Sequence, residues 1–170
     1  MGISESLLDF LFALPGWFKV GFISMLPIIE LRGGIPIGLT LLEMGPVETY
    51  IAAVVGNLLP IPFILLLLGP VERLFRKWQW GDRFMTRLFD HTRKRVSAKI
   101  EVYEEIGLTL FVAIPLPVTG AWTGALAAYL FGIPLRKSLP CIAAGVLIAG
   151  FVVTVVVMAG KGAYLLLSHS

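Results

Sequence analysis

Charge is scarce in this sequence, and the places that lack it are informative. No Asp, Glu, Lys or Arg occurs in residues 49 to 71, 106 to 135 or 138 to 160, and only Glu30 and Arg32 interrupt 20 to 42. Each window can cross a hydrocarbon core, which takes about 20 apolar residues. With 57% of its 170 residues hydrophobic, 15% charged and a mean hydropathy of +0.88, the chain is excluded from the soluble globular class. Cysteine is nearly absent too: Cys141 alone permits neither an intramolecular disulfide nor a thiolate metal cluster. The two histidines, His91 and His169, fall outside the windows with no partner at ligand spacing, so no metal and no cofactor are expected. A Ser/His/Asp set and a His-Glu-x-x-His motif are also missing, which argues against an enzyme. Met1 to Phe18 carries Glu5 and Asp9 and lacks the positive n-region of a signal peptide; it is read as a retained interfacial helix over 1–18.

Positive charge is concentrated in one place. Nine of the 14 Lys and Arg lie between residues 72 and 99 against three acids, a balance of +6, while the rest of the chain carries −3. The positive-inside rule puts this connector, taken as 70–104, in the cytoplasm. Val71, Leu74, Phe75 and Trp78, then Met85, Leu88, Phe89, Thr92, Val96 and Ile100, recur at helical steps, which predicts amphipathic helices with a basic face. Arg73, Arg76, Lys77, Arg83, Arg87, Arg93, Lys94 and Arg95 would then meet anionic lipid head groups. A plain connector that packs its apolar stripe on the bundle fits the same pattern. Nucleic acid is not expected as a partner, because the aromatics follow the apolar stripe and not the basic face.

Proline and glycine divide the apolar windows. Residues 47–69 are expected to span, with a kink at "GNLLPIP", where Pro60 and Pro62 cannot donate to Gly56 and Leu58 and the Asn57 amide can mend the break. The 30-residue window is too long for one comfortable span and too short for two. Pro115, Pro117, Gly120 and Gly124 break it near the middle, which predicts a re-entrant hairpin over 106–134 entering from the cytoplasm. Residues 138–166 then span outward. Pro27, Gly33, Gly34, Pro36 and Gly38 break the first window likewise, predicting a second hairpin over 20–44 that enters from outside. "GIPIG" and "GAWTG" repeat a small-xxx-small pattern, and a span follows each. The expected fold is therefore all-α and integral to the membrane, an inverted repeat of hairpin plus spanning helix. In such folds irregular backbone at membrane depth lines the substrate site.

"ELRGGIPIG" followed, after a basic connector, by "PLPVTGAWTG" resembles the small multidrug export protein family, a branch of the DedA-like (SNARE-associated, VTT) superfamily, over residues 20 to 160. The resemblance implies two opposed re-entrant hairpins in a prokaryotic plasma membrane, and proton-dependent transport or the flipping or scrambling of lipids, including polyprenyl-phosphate carriers. It maps the family's first-hairpin acid onto Glu30. The arginines that DedA-like second hairpins carry are missing from Pro117–Trp122.

Glu30 and Arg32 thus become the candidate site. An intramembrane carboxylate can take up and release a proton, and a neighbouring Arg can hold that carboxylate or bind an anion. Alternatively the two residues form a structural clamp. Residues two apart face different sides of a regular helix, so a direct pair requires broken backbone. Thr119, Trp122 and Thr123 are candidates for polar lining and a stacking wall. The leading expectation is a small proton-coupled transporter whose amphipathic substrate, lipid-linked or drug-like, binds between the hairpin tips. The rivals are gradient-independent lipid scrambling and a non-transporting membrane organiser. Two hairpins and two spans can fall short of sealing a polar cavity, which leaves room for a homodimer.

Overall fold

The computed structural model describes residues 14–75, 77, 78, 81–83, 86, 87, 90, 104–115 and 119–168, and all elements among them are helical. Helix α1 (Gly16–Met25) begins after Pro15 and ends where Leu26, the residue before Pro27, turns to extended backbone at ψ 136°. Gly16 to Phe18, assigned from the sequence to a separate interfacial helix, therefore open α1; the rest of that helix lies outside the described residues. After a short turn, α2 (Glu30–Pro36) runs into a π-helical turn over Ile37–Leu41. Pro36 has no N–H to give, and the backbone bonds widen beyond it: Leu42 N donates to Ile37 O at 3.0 Å and Met44 N to Gly38 O at 2.9 Å.

Helix α3 (Pro46–Leu58) starts on a proline, where a missing N–H costs nothing. It continues across Leu59–Pro60 into α4 (Ile61–Phe75), and Pro46–Leu74 reads as one 29-residue helix that contains an 18-residue window of mean hydropathy 2.4. Helices α5 (Glu104–Ala113) and α6 (Ala121–Leu130) flank the break at 114–120, and α7 (Leu135–Ser168) closes the chain. Its 30-residue Leu135–Tyr164 stretch contains an 18-residue window of mean hydropathy 2.7. Both long helices are apolar enough to cross a bilayer, and only 28% of each apolar window is buried within the chain. A core helix of a soluble protein would be mostly buried. Here Phe63, Leu66, Phe151 and Val156 face outward, the arrangement that lipid as solvent favours.

Packing follows a repeated scheme. The first short helix of each pair lies on the long helix that follows it, α1 on α3 and α5 on α7; the second lies against both long helices, α2 on α3 and α7 and α6 on α4 and α7. Glycines allow the closest approaches. A Cβ on Gly56 would run into the Gly21 carbonyl, and one on Gly145 would lie 2.6 Å from the Val112 side chain and 2.8 Å from Thr109 O. Leu31, Ile35, Leu108, Val112, Ile142 and Val146 fill the centre.

Polar ties gather the element ends. At one end of the molecule Gly16 abuts the Met44 side chain, and Lys161 Nζ, far along α7, donates to Leu39 O at 3.1 Å. At the other, Tyr129 hydrogen-bonds Glu72, and Lys137 pairs with Glu105 at 2.8 Å. The two ends of each short-helix pair thus lie together, one pair at each end.

Candidate functional site

Glu30 opens α2 with a backbone φ of 50°, in the left-handed region. For a residue with a Cβ this costs on the order of 1 kcal/mol. The irregularity meets the condition that the i, i+2 spacing imposes: Arg32 Nη1 reaches Glu30 Oε2 at 3.2 Å although a regular helix would separate them. Glu30 is 4% exposed, so its charge depends on protein partners. Trp122 N–H donates to Oε1 at 3.3 Å. Glu30 therefore caps the N-terminus of α6 from a distant part of the chain, where the helix dipole favours negative charge.

Arg32 extends the connection. Its Nη2 donates to Thr119 Oγ1 at 3.3 Å and to Ile114 O at 3.4 Å, while Thr119 itself donates to Ile114 O at 2.7 Å. The break between α5 and α6 frees these acceptors. Trp122 Nε1 donates to Met25 O at 3.1 Å, tying the last turn of α1 to the first turn of α6. Gly120 lies so close that a Cβ there would overlap the Glu30 carboxylate. Thr123 stays within its own turn, accepting from Gly120 N at 2.8 Å and completing the cap of α6.

The structure thus brings together Glu30, Arg32, Thr119, Gly120 and Trp122. Pro27 and Pro115 lie between helices, and Pro117 lies outside the described residues. Gly33, Gly34, Pro36 and Gly38, expected at the first tip, lie instead in α2 and the turn after it; the chain reverses at Leu26–Ile29, where Pro27 interrupts the helix. Gly34 and Gly38 let this arm approach Ser24 on α1 and Thr49 on α3. Gly124 serves packing against Val112. Of the basic residues expected at lipid head groups, Arg73, Lys77, Arg83 and Arg87 are exposed, while Arg76, Arg93, Lys94 and Arg95 lie outside the described residues.

One buried residue escaped sequence reasoning. Asn57, expected to mend the proline kink, bonds neither freed carbonyl. It is 1% exposed, and neither Oδ1 nor Nδ2 has a partner within hydrogen-bonding geometry. Its polarity in an apolar window was the available signal.

Two long helices with outward apolar faces, and a buried ion pair joining the two halves of the chain, define an α-helical membrane protein built around an internal charged site. Residues 30–152, more than two-thirds of the chain, match the family described as "Putative small multi-drug export protein". The chain belongs to this family, and the match begins at Glu30 itself. No curated protein and no solved structure matches it.

Proposed function

We propose that the protein is a small secondary transporter in which proton uptake at Glu30 is coupled to movement of an amphipathic substrate. One observation carries this reading: the contact between the two short-helix pairs runs through one titratable group, Glu30, which binds Arg32 and the N-terminus of α6 together. Neutralising that carboxylate removes the charge that holds the pairs in this arrangement, so protonation can change their relation. Two sets of ties support reading the pairs as oppositely facing re-entrant hairpins in an inverted repeat, related to the DedA-like superfamily. The α5–α6 pair is tied to Glu72 and Lys137 at one end, the α1–α2 pair to Met44 and Lys161 at the other. The positive-inside rule then puts the connector and the Lys137 end in the cytoplasm of a prokaryotic cell, with Arg73, Lys77, Arg83 and Arg87 at the lipid surface.

An apolar groove of about 810 Å³ between α1 and α3 meets a second of about 460 Å³ along α4 at Met25 and Leu59, and Trp122 lines the second. The apolar part of a substrate would lie there, with its polar end toward Trp122. The groove opens sideways along the length of a spanning helix, and this favours gradient-independent lipid scrambling as the second reading.

Reconstitution tests both. Vesicles carrying a fluorescent-headgroup phospholipid or a cationic dye, with and without an imposed pH gradient, should show pH-dependent transport that Glu30→Gln abolishes while the variant remains monodisperse. Retained pH dependence overturns the role of Glu30. Equal transport in both directions without a gradient establishes scrambling.

A further inference from the structure

The Glu30 carboxylate occupies a place that suits an oxyanion. Arg32 Nη1 donates to it at 3.2 Å, Trp122 N–H donates at 3.3 Å from the first turn of α6, and Gly120 lacks the Cβ that would overlap it. The fit is incomplete. A guanidinium carries five N–H donors in a planar fork and holds an oxyanion best through two at once. Glu30, tethered two residues away, takes one of them; Arg32 Nε is buried and unpartnered, and the Nη2 contacts are long, at 3.3 and 3.4 Å. The tether also holds Glu30 at a φ of 50°, a conformation that persists only while its contacts maintain it. An oxyanion that is not part of the chain is free of both constraints.

We propose that Glu30 is the resident occupant of an anion site, and that it gives way to the singly charged oxyanion of an amphipathic substrate, held by Arg32 and the N-terminus of α6. The inference rests on the reading of Glu30 as the proton-responsive group and adds the charge of what is carried. Charge balance decides the class. While Glu30 is ionised, the Arg32 charge is matched within apolar surroundings. Protonation alone leaves that charge unmatched, which is unfavourable at membrane depth. An incoming carboxylate, sulfonate or phosphodiester restores the match, whereas a cation would add to the excess. The step is a plain exchange: a proton from water bonds to a Glu30 oxygen, one anion enters, and no other bond changes, so the loaded site is as neutral as the empty one. Trp122, whose N–H binds Glu30, also lines the apolar groove of about 460 Å³ along α4, which gives the substrate's apolar chain a place beside the site.

Arg32 is the charged side chain paired with Glu30. Of the other titratable groups on α6 and on the elements packed against α2, Tyr50 donates to Leu147 O at 3.0 Å, Lys161 donates to Leu39 O at 3.1 Å, Lys137 pairs with Glu105 and Tyr129 hydrogen-bonds Glu72. Lys19 on α1, Glu48 on α3, and Arg136, Cys141 and Tyr164 on α7 complete the set. Arg32 is thus the charge that an incoming anion meets.

Decanesulfonate is the probe for this test, because its head keeps a single negative charge at any working pH. Its binding to the full chain in nonionic detergent, followed by calorimetry, should tighten about tenfold for each unit that the pH falls while Glu30 is ionised, with one proton taken up per anion bound. Glu30→Gln removes the occupant's charge, so it should bind the sulfonate more tightly than the unmodified chain at high pH and lose the pH dependence. Arg32→Lys keeps the charge but not the fork and should bind about tenfold more weakly at low pH. Sulfonate binding that ignores pH, or that is equal in Arg32→Lys, lies elsewhere on the surface and overturns the proposal. Should Arg32→Lys not fold, Glu30→Gln decides alone: binding at high pH no tighter than that of the unmodified chain overturns it. Decyltrimethylammonium has the same chain and the opposite charge. Ammonium binding that requires an ionised Glu30 overturns the oxyanion assignment while leaving Glu30 as the proton-responsive group, whereas transport whose pH dependence survives Glu30→Gln overturns that reading itself.

Discussion

Glu30 holds a left-handed backbone, a carboxylate buried to 4% exposure and a helix cap on another segment, and the carboxylate fits there because Gly120 allows close approach. Gly120→Ala would push a methyl group into that carboxylate. The expected cost is roughly 1–3 kcal/mol, read as a lower melting temperature in detergent, because the carboxylate can move aside only by giving up its bonds to Arg32 and the Trp122 N–H. Gly45 has open space around it, so Gly45→Ala should leave the melting temperature within error and serves as the control. Arg32 acts through its fork, with Nη1 on Glu30 and Nη2 on Thr119 and Ile114. Arg32→Lys keeps the charge but cannot make these contacts at once. A double-mutant cycle of Arg32→Lys with Thr119→Val should show a coupling of about 1 kcal/mol, and additive effects would show that the long Nη2 contacts contribute nothing. The pair of residues 30 and 32 was visible in the sequence as two charges in an apolar run. That they pair directly, and that they reach Thr119 and Trp122, was not, since both facts depend on a single left-handed residue and on a helix approaching from elsewhere in the chain.

Among the elements, helix crossings are set by small residues. Gly56 lets α3 lie on the Gly21 carbonyl of α1, and Gly145 lets α7 lie on Thr109 O and Val112 of α5. Lipid provides no hydrophobic drive between helices, so close contact must supply the attraction. Gly56→Ala should cost more than Gly145→Ala: the first meets backbone alone, whereas the second meets in part a side chain. Thermal unfolding of both variants in the same detergent measures the order, and equal costs would deny that backbone contact governs the α1–α3 crossing. Element ends were legible from sequence where proline set them, as at Pro27, Pro46 and the break after Ala113, whereas the helix start after Pro15 was not, the first helix having been expected to run through it. The position of the first chain reversal was not, because α2 carries two adjacent glycines and a proline yet stays helical. Packing against α1, α3 and α7 outweighs helix propensity there.

At the scale of the molecule, the expected topology is two spanning helices and two hairpins entering from opposite faces. Single-cysteine variants on a Cys141→Ala background make this measurable in intact cells. An impermeant maleimide should label Glu43→Cys and Gly162→Cys from outside, and Arg83→Cys and Arg136→Cys only after permeabilisation. Labelling of Arg136→Cys from outside would mean that residues 106–134 cross the membrane once, contrary to the placement of Lys137 beside Glu105.

The sequence alone determined that this is an all-helical membrane protein, where its long apolar helices run, and that Glu30 and Arg32 are the charges within an apolar window. Those properties follow from composition and from local rules, the free energy of burying charge in hydrocarbon and the missing donor of proline. The tertiary structure decided what the charges touch. A carboxylate capping a helix about ninety residues away, and a buried amide left without a partner, are long-range outcomes of packing. No window of sequence records which backbone N–H groups another segment will present.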